Sequence, residues 1–99
     1  MNMQALMKQA QKLQKDMLSA KEEIDNTLFT GENSLVKVTM KGTREVIKVE
    51  ISSEDSLDKD DIEMLEDLIM VAINDAMKQI DNEVEQNLGK YTKGMPGLF

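Results

Sequence analysis

The 99-residue chain has no cysteine and no histidine. The first absence removes disulfide staples and thiolate metal ligands. The second removes the commonest general base and the commonest zinc ligand. Tryptophan is also missing, and the single proline lies near the end of the sequence, so nothing before it forbids long helices. The longest apolar run, Leu68 to Ile73, is far short of a membrane span. The opening stretch MNMQALMKQAQ has no apolar core of the kind a secretory signal needs. These absences lead to the expectation of a soluble, cytoplasmic chain that is no enzyme, binds no cofactor or metal and does not associate with membranes. A single domain of this length buries only about two-thirds of its unfolded surface. A second copy would help it fold stably.

What is present is charge, unevenly laid out. The net charge is −7. Residues 50–88 hold thirteen acids against Lys59 and Lys78, whereas the other segments are mildly basic. An acidic total argues against nucleic-acid binding over the whole surface, but leaves room for a local basic patch.

The hydrophobic pattern changes period along the chain. Met3, Leu6, Ala10, Leu13, Met17, Ala20 and Ile24 are spaced 3 and 4 residues apart in alternation, a heptad seam on a long first helix. A helix packed within its own domain is the plainer reading of the same residues. SLVKVTMKG and REVIKVEIS then alternate with period two on either side of Gly42-Thr43 and predict a hairpin. A two-residue type II′ turn would place Lys41 opposite Arg44, Val38 opposite Ile47 and Val36 opposite Val49. TLFTG is a candidate third strand, ended at Gly31-Glu32-Asn33. A second helix is expected over about 59–88, with Asp58 as N-cap, Leu57 and Ile62 as a hydrophobic staple and Gly89 as its stop. The wide half of its apolar face, up to Met77, should pack on the sheet and the narrow remainder on the first helix. The distal halves of the two helices should project as an antiparallel pair.

Several blocks in this order resemble the YbaB/EbfC family of bacterial nucleoid-associated proteins: LMKQAQ at Leu6–Gln11, TGE at Thr30–Glu32, LVKVTMKG at Leu35–Gly42, VEI at Val49–Ile51, EMLEDL at Glu63–Leu68, NDA at Asn74–Ala76 and PGL near the end. The resemblance covers nearly the whole chain. It implies an α+β fold with a long N-terminal helix, a three-stranded antiparallel sheet and a long C-terminal helix, assembled as a tweezer-like homodimer. In that frame residues 1–99 form one domain, with helical arms from 1–24 and 77–88, a sheet over about 27–52 and a mobile tail at 90–99. It also implies binding of double-stranded DNA at the nucleoid, with little sequence preference. One departure from the family is the link between TGE and LVKVT, here only Asn33-Ser34 where a glycine-rich turn is common.

The candidate DNA contacts are basic. Lys8, Lys12 and Lys15 fall at i, i+4 and i+7 on the first helix, opposite the seam, and make a stripe about two turns long. Lysines so spaced suit phosphates as point charges; the plainer reading is a solvated helix face. Lys90 and Lys93 in the tail would add loose contacts or merely solubility. Lys37, Lys41, Arg44 and Lys48 are expected on one hairpin face, where edge protection or a dimer interface is favoured over DNA. Arg44 is the sole arginine, and Tyr91 is the one aromatic among these basic groups, so neither guanine readout nor base stacking is expected. The acids from Glu54 to Asp67 lack the spacing of a calcium loop, and much of their placement suits a helix N-terminus. Methionines at or beside apolar positions of both helices read as core filling, though Met-rich surfaces also suit adaptable partners. The rival to DNA binding is a protein-interaction or prefoldin-like chaperone module holding clients at apolar arm tips.

Overall fold

A computed structural model of the chain describes residues 2–52 and 57–92. Helix α1 spans Met3–Asp25, strands β1, β2 and β3 span Leu28–Glu32, Val36–Lys41 and Val46–Ile51, and helix α2 spans Ile62–Thr92 after a single 3-10 turn at Lys59–Asp61. The three strands form one antiparallel sheet in the order β1-β2-β3. The α+β architecture and the third strand are as the sequence predicts.

Helix α1 begins at Asn2, whose side-chain oxygen accepts from the backbone N–H of Gln4 at 3.0 Å and of Ala5 at 3.4 Å. It leads through Asn26 and Thr27 directly into β1. The Gly42 N–H donates to the Thr27 carbonyl at 3.0 Å, which ties the tip of the second hairpin to the end of α1. Between β1 and β2 the Asn33 side chain closes the turn. Its oxygen accepts from the N–H of Val36 at 3.0 Å and of Leu35 at 3.3 Å, while its amide donates to the Leu68 carbonyl at 2.9 Å. One asparagine thus closes the turn and anchors it to α2. Strand β1 runs through Gly31 to Glu32 rather than ending at the glycine.

The β2–β3 hairpin departs from the predicted register. Val38 pairs with Val49 and Val36 with Ile51, and the pairing shifts between Thr39 and Met40 so that Lys48 and Val46 are their partners. Ile47 is therefore an extra residue, a β-bulge. The Lys41 N–H donates to the Glu45 carbonyl and the Arg44 N–H to the Lys41 carbonyl, so the loop holds three residues, not two. Arg44 carries the left-handed conformation, with φ at 75°. The type II′ turn is not formed. Gly42 is needed for a different reason: a Cβ there would lie 1.8 Å from the Ile24 carbonyl oxygen.

Helix α2 lies across β1 and β2, and its later turns pack on α1. Val36, Val38 and Ala72 form one buried cluster, and Ile24, Phe29, Met40, Ala76, Ile80 and Leu88 another. The earlier part of the α2 apolar face thus packs on the sheet as its width predicts, whereas the later part meets Ile24 of α1 together with Phe29 and Met40 of the sheet. Gln79 adds a tie from its side-chain amide to the Thr30 carbonyl at 2.7 Å. Asp58 starts the segment, its N–H donating to the Asp61 carboxylate at 2.9 Å. Leu57 and Ile62 both stay exposed, so the expected staple buries little. Gly89 does not stop α2. The helix continues to Thr92 because Leu88 is buried and Tyr91 packs on the same cluster, which offsets the roughly 1 kcal/mol that a helical glycine costs.

Candidate nucleic-acid interface

Only the second half of α1 is packed. Met17 and Ile24 are its buried residues, and every residue from Asn2 to Asp16 is exposed. The heptad seam is thus split. Met17, Ala20 and Ile24 face the rest of the chain, whereas Met3, Leu6, Ala10 and Leu13 stand in solvent. About fourteen residues of helix, about 21 Å at 1.5 Å per residue, therefore project beyond the body. The molecule measures 71 × 20 × 15 Å.

Lys8, Lys12 and Lys15 all lie on this projecting half, on the side away from the seam, and all are exposed. Between Asn2 and Lys15 there are three lysines and no acid. Among the described residues none of the three is ion-paired: the pairs are Lys21 with Asp25 at 2.9 Å, Lys48 with Glu50 at 2.9 Å, and Arg44 with Asp81. The stripe spans about 10 Å of helix axis. It can present three ammonium groups to an anionic backbone without first breaking an internal contact.

The other basic candidates are placed differently. Lys90 is in the last turn of α2, with Nζ 5.0 Å from the centre of the Tyr91 ring, so it belongs to the helix and not to a tail. Lys93 lies outside the described residues. On the sheet, Lys37, Lys41 and Lys48 do share the face turned away from α2, since their pairing partners are Glu50, Leu28 and Thr39. Glu32 and Glu50 stand among them. The Lys48 side chain, by hydrogen bond and by charge, holds the Glu50 carboxyl below its ordinary range, with Lys37 adding to the effect. This face is largely self-neutralised. Arg44 has left it: its guanidinium bonds the Asp81 carboxylate and reaches the Met77 sulfur at 3.6 Å. It binds the hairpin tip to α2, across 37 positions of sequence that no local pattern could link. A cleft of about 530 Å³ at this junction is bordered by Lys21, Asp25, Arg44, Asp81 and Glu85; both cations are already ion-paired, and the lining carries one acid more than it has bases.

Two further surfaces matter. Val38 is 0% exposed, yet its cross-strand partner Val49 is 42% exposed. α2 covers β1 and β2 and leaves β3 bare, so Val46, Val49 and Ile51 form an open apolar strip. Ile62, Met64, Met70 and Val71 on α2 are also exposed. The acidic residues gather on α2 and its approach. Among the described residues no three of them converge to hold a metal ion, and no helix is long and apolar enough to cross a membrane.

Comparison with known proteins accords with this geometry. The model of the YbaB/EbfC DNA-binding family matches residues 1–95. A nucleoid-associated protein of Enterococcus faecalis is 50% identical over 99 residues, covering 98% of this chain and 94% of its own. One of Lactococcus lactis is 49% identical over 98 residues, covering 97% and 98%. Among solved structures, the uncharacterized protein HP0035 of Helicobacter pylori superposes with a TM-score of 0.70 at 26% identity, covering 93% of this chain and 97% of that one. An elongated helix–sheet–helix chain whose basic arm stands free, matched over nearly its whole length by the family model and by these relatives, belongs to the YbaB/EbfC DNA-binding family.

Proposed function

We propose that this protein is a nucleoid-associated DNA-binding protein that acts as a homodimer and holds the backbone of duplex DNA with its projecting α1 arms. The observation that carries the reading is the arm itself: Lys8, Lys12 and Lys15 are exposed and not ion-paired among the described residues. Lysine contacts of this kind position a protein on phosphates without reading bases. Sequence preference is accordingly weak. Lys90, at the end of α2, and Lys93 are secondary contacts. The apolar strip on β3 with the exposed α2 residues supports the homodimer, since an isolated chain would leave that surface in water. The protein works in the cytoplasm, at the nucleoid, and no catalytic role is assigned to it.

The test is fluorescence anisotropy with a labelled duplex of about 40 bp, long enough for several phosphate footprints. The native chain is compared with the Lys8/Lys12/Lys15→Ala variant across a salt series. Binding that weakens steeply with salt and is lost in the variant, at unchanged helicity, supports the arm. Binding that survives in the variant keeps DNA as ligand but moves the site.

One observation favours a second reading. Met3, Leu6, Met7 and Leu13 are exposed on the same arm, as a client-binding chaperone of prefoldin type requires. Apolar client binding would persist at salt concentrations that abolish phosphate contacts.

A further inference from the structure

The exposed half of the α1 seam has a shape that specifies its own partner. Met3, Leu6, Ala10 and Leu13 are spaced 3, 4 and 3 apart, the same in both directions. Laid antiparallel on a second copy, the seam puts Met3 opposite Leu13 and Leu6 opposite Ala10, large against small in the central layers. The residues flanking it are Asn2, Met7, Gln9 and Gln14, none of them charged, so two such arms meet without like-charge repulsion. Lys8, Lys12 and Lys15 point the other way.

The packed half of the helix decides the orientation. From Met17 onward α1 turns the seam toward its own chain, with Ala20 and Ile24 against α2. A parallel partner would bring a second α2 into the space that the first already fills. An antiparallel partner places the two bodies at opposite ends, and its helix continues the track of α2 along the seam.

We infer that the α1 arms of two copies pair antiparallel through Met3, Leu6, Ala10 and Leu13, leaving the lysines of both arms outward. The contact is separate from the β3 strip, so copies joined at one surface can be linked to others through the second. Two heptads are too short to hold a pair of free helices together in dilute solution. The arms therefore close where copies are already concentrated, by a shared interface or along one DNA molecule. This pairing does not depend on what the lysines hold.

The absence of native cysteine makes the test clean. Single variants L6C, A10C and K8C are oxidised with copper phenanthroline, alone and as the L6C plus A10C mixture, first without DNA and then with a 40 bp duplex (about four helical turns). The inference requires the mixed L6C–A10C disulfide to form about ten-fold faster than the K8C disulfide, whose side chain points outward, a ratio set by effective concentration. Leu13→Glu added to both partners should abolish that advantage. Because Leu13 is exposed in the single chain, circular dichroism should show the fold intact. Faster oxidation of L6C alone means parallel arms and overturns the inference. So does a mixture no faster than K8C. Thiols at position 6 shielded from alkylation yet not cross-linked would mean another occupant, residues 93–99 or a different partner, and would overturn it as well.

Discussion

Gly42 and Gly31 sit where the backbone of a helix comes within reach of a Cβ. An added carbon would lie 1.8 Å from the Ile24 carbonyl oxygen in the first case and 1.9 Å from the Ala72 carbonyl oxygen in the second. Neither obstacle is a flexible side chain, so the helix or the sheet must move. Gly42→Ala and Gly31→Ala should each cost about 3 kcal/mol, the upper end for overpacking, measured by urea denaturation. Arg44, three-residue loop and all, shows the same precedence of long-range contact over local preference. It accepts a left-handed backbone that glycine adopts more readily, and in that position reaches Asp81. Glu50 carries a pH signature. Its folded carboxyl titrates below the ordinary value of 4.5, chiefly through the Lys48 hydrogen bond. A depressed carboxylate stabilises the fold above its unfolded pKa and loses that contribution as pH falls through the folded one. Glu50→Gln should therefore lower stability slightly at neutral pH and not at all in strong acid. Comparing denaturation midpoints at the two extremes would show it, and a difference that grows in acid would contradict the sign.

At the scale of elements, α1 is one helix with two environments. Residues 3–16 have no tertiary cover among the described residues, while residues 17–25 contain the buried Met17 and Ile24. Isolated helices of this length are marginal in water. Amide exchange in the single chain should be fast from Gln4 to Asp16 and strongly protected around Ala20–Asp25; arms paired as inferred above would extend the protection toward the N-terminus. Removing the Asn2 cap by Asn2→Ala should cost the arm about 1 kcal/mol of helix stability, visible as lost ellipticity with the core midpoint unchanged. α2 offers the converse case. A Cβ at Gly89 meets nothing within 4 Å. Gly89→Ala should therefore stabilise by roughly 1 kcal/mol through helix propensity, read from the thermal or denaturant midpoint.

The whole molecule is a rod with separated charge. Its radius of gyration is 19.5 Å, against about 13 Å for a compact chain of this length. The cationic arm tip stands at one end, and the acidic start of α2 lies toward the other. That separation exceeds the Debye length of about 8 Å at physiological ionic strength. This is how a chain of net charge −7 can bring lysines to a polyanion. If both arms of a dimer contribute three lysines each, the slope of log affinity against log salt should be about −5, and the Lys8/Lys12/Lys15→Ala variant should lose most of it. If the bare strip of β3 is the contact of the homodimer proposed above, Val49→Lys should shift the chain toward monomer in sedimentation equilibrium, with little change in secondary structure because Val49 is already half in solvent.

Periodicity and composition determined a good deal unaided. The 3–4 spacing of α1, the alternation on either side of Gly42, the width of the α2 apolar face and the family blocks are local facts, written within a few turns or a few strand residues. They sufficed for the element order, for the placing of α2 on the sheet and for the lysine stripe. The tertiary structure decided what depends on distant neighbours. The Ile24 carbonyl made Gly42 a contact glycine; a three-residue loop and a bulge at Ile47 set the hairpin register; burial of Leu88 and packing of Tyr91 carried α2 past Gly89; Asp81 drew Arg44 away from the other hairpin cations. It also divided a uniform seam into a packed half and a free half. No pattern within α1 distinguishes Met17 from Leu6. The difference is where α2 stops running beside it, and that is set by the packing of the sheet and both helices together.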